Sequence, residues 1–407
     1  MRARTLSRRS LHMPASPIRR LAPLAGAARE AGKTIYALNI GQPDIPSPRQ
    51  ILDRLRTYDA ANVPYGPSEG FPEFVETLRG YYAGIGVPLA GREIFVTSGG
   101  SEALLFVISV IADPGDEILV FEPFYANYSG FATMVGASLV PVTTRVEDGY
   151  HLPARDAIEA KLTDKTRAIL ICSPNNPTGT VYGDEEIGLL AEVCAERGLY
   201  LVADEVYREF TYDGKTHRSV LTLSGLEEQV IVVDSLSKRA SVCGIRIGCV
   251  VSRNRELMAA ILLCGQARLC PPTLGQHVAR GFADVPASYL REVVAEYEKR
   301  RDLVHGALAA TRGVTLRKPE GAFYVCPRLP VDDGQRFAEF LLTDFSLDGE
   351  TVMVAPGDGF YATPGLGKHD VRIAYVLERD KLRRACTILE AALEAYPGRL
   401  QIDDDGS

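Results

Sequence analysis

Five short apolar runs, at 93–97, 118–121, 168–172, 199–203 and 230–233, alternate with helix-like segments, and this alternation constrains the fold more than any other feature of the chain. Runs such as Ala168-Ile169-Leu170-Ile171-Cys172 and Val230-Ile231-Val232-Val233 are apolar at every position, as strands covered on both faces require. The segments between them include helical patterns at 103–112 and 184–197. Strands alternating with helices imply an α/β fold with a largely parallel sheet, and such sheets bind ligands beyond the carboxyl ends of their strands.

Chemically useful residues sit at those ends. The first run leads into Ser98-Gly99-Gly100-Ser101-Glu102, where glycines opening a helix aim unpaired N–H groups outward, an anion site without the Gly-Lys-Ser/Thr ending of a nucleotide loop. The second leads to Phe124, Tyr125 and Tyr128, aromatic residues that suit a core or a platform for a flat ligand. The third enters Ser173-Pro174-Asn175-Asn176-Pro177-Thr178-Gly179, and the fourth ends in Asp204-Glu205-Val206-Tyr207. The fifth enters the stretch from Ser235 to Gly248, with Ser235, Ser237, Lys238 and Arg246. A lysine among small residues can act as an amine nucleophile, and two serines with an arginine can hold a phosphate, a combination that suits pyridoxal phosphate. Each turn alone also reads as an ordinary polar connection, and Asp204 alone as a cap; one shared face accounts for all of them.

Outside this alternation the chain reads differently. Ser16-Pro17 resembles a helix start, with Ile18, Leu21 and Ala25 as an apolar stripe and Pro23 shortening or kinking the helix. A strand-like 35–38 precedes Asn39-Ile40-Gly41-Gln42-Pro43-Asp44, whose glycine lets backbone approach a ligand. Tyr65 opens a second Gly/Pro loop ahead of a helix carrying Phe71, Phe74, Leu78 and Tyr81. After about residue 285 come a long charged helix from near Pro286, short strands near 322–325 and 351–354, and helices at about 334–345 and 378–395. The expected division is 51–285 as the large ligand-binding domain and 286–407 as a smaller α+β domain joined by an N-terminal arm, 1–50. Arg372, inside the apolar run 371–375, needs an anionic partner: a substrate carboxylate or a structural acid.

Composition excludes several functions. A net charge of -7 leaves no basic footprint for nucleic acid. The eight cysteines are scattered through apolar runs with no Cys-x-x-Cys pair, and the six histidines never fall at ligand spacing, so neither a disulfide framework nor a metal site is expected. No apolar run reaches membrane-spanning length. Six arginines and no acid in the first twenty residues fit a transit peptide or an N-terminal arm equally, and a cytoplasmic location is the expectation.

Assembled, Ser235-x-Ser237-Lys238, Gly244-x-Arg246-x-Gly248, Asn176-Pro177-Thr178-Gly179 and Asp204-Glu205-Val206-Tyr207 make the chain resemble a class I/II aminotransferase of the bacterial aspartate aminotransferase group, from about Ser7 to Ala395. The resemblance implies the fold-type I pyridoxal-phosphate transferase architecture, with a mostly parallel seven-stranded sheet and a smaller α+β domain. It implies that Lys238 holds pyridoxal 5′-phosphate covalently and later moves the substrate proton, and that Asp204 pairs with the ring nitrogen. Asn176 and Tyr207 would bind the phenolic oxygen, and Tyr125 would stack on the ring. Gly100, Ser101, Ser235, Ser237 and Arg246 would bind the phosphate, joined by Tyr65 of a second subunit, so a homodimer is expected. Arg372 and Gly41 would take the substrate α-carboxylate.

Two positions depart from that pattern. Some aspartate-specific relatives carry a lysine where this chain has Ser101, which puts aspartate specificity in question; many carry an aromatic at Ala240, where the small residue would loosen packing or enlarge a pocket. Arg268 is a candidate for a distal substrate carboxylate, from its own or the second subunit, or else a surface or dimer salt bridge. The expected activity is transfer of an amino group from an L-amino acid, acidic or aromatic, to a 2-oxo acid such as 2-oxoglutarate. A β-lyase, decarboxylase or oxidase on the same scaffold, or a non-catalytic regulatory module, are the alternatives.

Overall fold

A computed structural model describes residues 6–401. Its strands, in chain order, are β1 (Thr34–Ala37), β2 (Ile94–Thr97), β3 (Glu117–Glu122), β4 (Ser138–Thr143), β5 (Thr166–Cys172), β6 (Tyr200–Asp204), β7 (Val230–Ser235), β8 (Gly248–Val251), β9 (Tyr324–Val325), β10 (Glu350–Met353), β11 (Ala355–Pro356) and β12 (Val371–Ala374). Seven of them form one sheet in the order β2-β8-β7-β6-β5-β3-β4. All neighbours run parallel except β8, which is antiparallel to both β2 and β7. The carboxyl ends of β2, β7, β6, β5 and β3 therefore share one edge.

Two of these strands carry weak sequence signals. β4 is a half-exposed edge strand containing Pro141, which an edge tolerates because one side needs no N–H donor. β8 follows β7 through only the short helical turns Leu236–Arg239 and Cys243–Ile245, too short for the crossover a parallel neighbour needs, and it runs antiparallel to β7.

The apolar runs are buried because both faces are covered. Ile118, Val120, Leu170, Val202, Ile231 and Val233 enter one core layer, while Leu119, Phe121, Ile169, Ile171, Leu201 and Val232 enter the other. Each such side chain removed from water contributes on the order of 2 kcal/mol. Helices Gly100–Ile111 and Asp184–Arg197 cover the faces as the sequence pattern predicts.

The terminal segments meet each other. β1 pairs in parallel with β10, and β11, β12 and β9 form an antiparallel sheet. Helix Ala287–Ala310 buries Val293, Tyr297, Val304 and Leu308 at helical spacing and packs against helix Arg379–Ala395. The N-terminal helix starts later than its stripe implies: residues 17–21 form a turn, and the helix runs Ala22–Glu30. Pro23 lies in its first turn, where a missing N–H leaves nothing unpaired, so it starts the helix rather than kinking it. Among the described residues no helix is long and apolar enough to cross a membrane.

Candidate active site

A cavity of about 260 Å³ opens at the shared strand edge. It is lined by groups delivered by each strand end: Gly100 and Ser101 after β2, Tyr125 after β3, Asn176 after β5, Asp204 and Tyr207 at and after β6, and Ser235, Ser237 and Lys238 at and after β7. Gly41, Arg246 and Arg372 complete it from other parts of the chain.

One end is an anion cradle. Helix Gly100–Ile111 begins there with its first N–H groups unpaired, and Gly99 before it has φ +80°, a left-handed backbone that glycine adopts without strain. A Cβ on Gly99 would also fall 2.4 Å from Nη2 of Arg246, so glycine lets the guanidinium lie against the loop. Arg246 donates to the carbonyls of Cys243, 3.0 Å, and Ser98, 3.3 Å. Ser235 caps the short helix Leu236–Arg239 by accepting from Ser237 N, and its Oγ lies 2.8 Å from that of Ser237. The cap orients both hydroxyls and sets Lys238 on the following turn.

Lys238 Nζ donates to the carbonyl of Gly41 at 2.7 Å, across 197 residues of chain. Gly41 must be small: a Cβ there would fall 1.7 Å from the Tyr324 hydroxyl. That hydroxyl lies 2.9 Å from Tyr207 Oη. Burial pushes the Tyr207 phenol up, which keeps it a hydrogen-bond donor near neutral pH.

Asp204 is buried, and burial pushes its carboxyl up to about 6 against the hydrogen bond from Tyr128. A buried carboxylate poised this way calls for a cationic partner. Tyr125, held by a 2.8 Å bond from Asn127 Nδ2, is pushed up to about 12 by burial and offers the cavity a neutral ring.

Arg372 is 1 % exposed and sits 4.6 Å and 5.1 Å from the ring centroids of Tyr324 and Phe360. It donates through Nη1 to Asn176 Oδ1 at 3.1 Å and through Nη2 to the carbonyl of Asn39. Its Nε has no partner. A buried guanidinium with a donor to spare and no acid beside it is suited to an incoming carboxylate.

Tyr65 and Arg268 do not line this cavity. Tyr65 is 79 % exposed. Arg268, a candidate for a distal carboxylate, instead lies 3.5 Å from Glu102 and donates through Nη2 to the carbonyls of Ser68 and Val96; its Nε and Nη1 are buried without a hydrogen-bond partner, but away from this cavity. Ala240 is fully buried in the core layer with Leu236 and Val242 and does not border the cavity, so its small size enlarges no pocket there.

Beneath the cavity lies a buried ionic cluster that sequence reasoning did not single out. Asp234 pairs with Arg239 and Arg208 and accepts from Tyr82 at 3.0 Å; Arg208 also meets Glu205, and Arg239 meets Glu209. The available signal was charge at or just after the ends of fully apolar strands, such as Asp234 in β7 and Glu205 after β6.

The model of the family described as aminotransferase class I and II matches residues 33–389. An aspartate/prephenate aminotransferase of Thermus thermophilus is 31% identical over 391 residues, covering 94% of this chain and 97% of that protein. An aspartate aminotransferase of Pyrococcus abyssi is 31% identical over 383 residues, covering 93% and 95%. The crystal structure of aspartate aminotransferase from Thermotoga maritima superposes with a TM-score of 0.87 at 28% identity, and that of an alanine aminotransferase from Pyrococcus furiosus with 0.87 at 29%; each comparison covers 96% of this chain and 100% of the other. With a lysine, a buried aspartate and an anion cradle converging in a family match of this extent, the chain belongs to the class I and II aminotransferases.

Proposed function

We propose that the protein binds pyridoxal 5′-phosphate in this cavity and, as a cytoplasmic homodimer, transfers the amino group of an L-amino acid, acidic or aromatic, to a 2-oxo acid such as 2-oxoglutarate by a ping-pong route. The observation that carries the reading is the convergence of the Lys238 amine, the Asp204 carboxylate and the Gly99–Arg246 cradle in one cavity. The donor set fits the cofactor: an amine for its aldehyde, a carboxylate for its ring nitrogen and helix N–H groups, hydroxyls and a guanidinium for its phosphate.

Bound pyridoxal phosphate supplies an electron-accepting ring that stabilises a carbanion at the substrate α-carbon. The protein's own groups do the rest. Gly100, Ser101, Ser235, Ser237 and Arg246 would anchor the phosphate, and Tyr65 of the neighbouring subunit would add to it. Asp204, short of a cationic partner in the free protein, would gain one in the protonated ring nitrogen. Asn176 and Tyr207 would hold the phenolic oxygen, Tyr125 would pack on the ring, and Arg372 with Gly41 would fix the α-carboxylate. With the substrate so held, Lys238 Nζ would take the α-proton and return it on the other side of the transfer. Homodimer formation is supported by exposed Leu55, Val63 and Tyr65 on a segment that bonds to helix Thr273–Ala279 through Pro64 and Thr57. The same reading divides the chain into 51–285 and 286–407, with 1–50 added to the second unit.

The test mixes the holoenzyme with single L-amino acids and reads conversion of the bound cofactor to its amine form together with stoichiometric 2-oxo acid. Conversion by one or more donors is expected. Release of carbon dioxide, peroxide or ammonia without cofactor conversion would overturn the reading.

A further inference from the structure

The cavity contains one cation more than this chemistry uses. Lys238, Arg246 and Arg372 have their tasks; among the described residues that line it, the fourth cation is Arg19 and the one carboxylate is Asp204. Among the described residues the Arg19 guanidinium has no hydrogen-bond or ion-pair partner, whereas its neighbour Arg20 pairs with Asp358.

Arg19 stands on an anchored turn. The N–H groups of Arg19 and Arg20 donate to the carbonyl of Ser16 at 3.1 and 3.0 Å. Pro17 is buried against Gly359, where a Cβ would fall 2.5 Å from the proline ring. Asn39, 1 % exposed, then joins this turn to the other carboxylate-binding group: its Nδ2 donates to Ile18 O at 3.0 Å, and its own carbonyl accepts from Arg372. One buried residue thus fixes the backbone that carries Arg19 relative to the Arg372 guanidinium. Ile18, Ile40 and Leu104 add apolar wall to the same cavity, suited to methylene groups.

Resting on the proposed transamination, we infer that Arg19 is the specificity-determining residue for the substrate side chain: it binds a second carboxylate at the far end of an acidic amino acid or a dicarboxylic 2-oxo acid, while Arg372 holds the α-carboxylate. A guanidinium offers paired donors that match a carboxylate, and the Arg19 side chain, exposed at the cavity wall, has all of its donors to give. This assigns to the N-terminal turn the task for which Arg268, which does not line the cavity, is not placed in its own chain.

The experiment compares wild-type holoenzyme with Arg19→Gln and Arg19→Lys. It measures kcat/KM for L-glutamate and L-aspartate against L-norvaline and L-alanine, and the dissociation constants of maleate and butyrate by spectral titration of the bound cofactor. Arg19→Gln is expected to lower the glutamate-to-norvaline ratio of kcat/KM by about tenfold or more and to weaken maleate relative to butyrate by a similar factor, with Arg19→Lys between. A ratio within about twofold of wild type, an equal loss with both donor classes, or a wild type that ignores dicarboxylates would overturn the assignment. The two readings fail separately: a wild type that transaminates no donor defeats the proposed function, whereas an active wild type with an unmoved ratio in Arg19→Gln defeats the role of Arg19 alone.

Discussion

Tyr128 donates a 2.9 Å hydrogen bond to Oδ2 of the buried Asp204, whose Oδ1 accepts a longer one, 3.4 Å, from the N–H of Val206. Burial raises the Asp204 pKa from 3.8 to about 6. A raised carboxyl in the folded state binds protons that the unfolded chain has released, so its contribution to stability falls as pH rises from about 4 to about 6 and stays low above. Two pKa units correspond to about 3 kcal/mol, an upper figure for this site. In the cofactor-free protein Asp204→Asn is therefore expected to exceed wild type by only about 1 kcal/mol near pH 4.5 and by as much as about 3 kcal/mol near pH 7.5 in denaturant unfolding. Stabilities that run in parallel across that range would refute the argument. Tyr128→Phe, by removing a contact that favours the carboxylate, should move the transition above pH 6.

Arg372 spends two donors on Asn176 and Asn39 and keeps Nε free. Lysine in its place brings one compact charge that cannot serve both neighbours and a carboxylate at once. Arg372→Lys is expected to raise KM by roughly 10- to 100-fold for every amino donor, acidic or neutral, because each carries an α-carboxylate. Steady-state kinetics with glutamate and alanine check this, and a loss confined to glutamate would place the α-carboxylate elsewhere.

The cleft was legible to the extent that single strands and their following turns build it. Asn176, Asp204, Ser235 and Lys238 each stand at the end of an apolar run, and a parallel sheet brings such ends to one edge whatever the rest of the chain does. Contacts between distant segments left little trace: Asn39 meets Arg372 across 333 residues, and no local pattern around either announces the other. Arg19 escaped notice for the same reason, since in sequence it is one of several arginines near the N-terminus. Ala240 shows the opposite failure, a local departure whose side chain faces the core rather than the cleft.

Asp234 and Arg239 are both buried, and their pairing anchors the cluster beneath Lys238. Removing one member leaves the other charged without water. Asp234→Asn and Arg239→Met are each expected to cost about 3–5 kcal/mol in denaturant unfolding, and the double variant less than the sum. Additive losses would mean that the two side chains do not act as a pair.

His151 lies 3.0 Å from Glu186 and 3.4 Å from Glu320, tying the loop after β4 to two other segments. Those carboxylates raise its pKa from 6.5 to about 9. A raised histidine stabilises the fold fully below the unfolded value, and the contribution disappears as pH rises from about 6.5 through about 9. The side chain is 35% exposed, so solvent screening cuts the figure implied by the shift to about 1–2 kcal/mol. His151→Gln is accordingly expected to be less stable than wild type by that amount at pH 6 and to converge with it by about pH 10. Denaturant unfolding at the two pH values decides the point: a difference that persists at pH 10 would assign the effect to packing of the ring rather than to its charge.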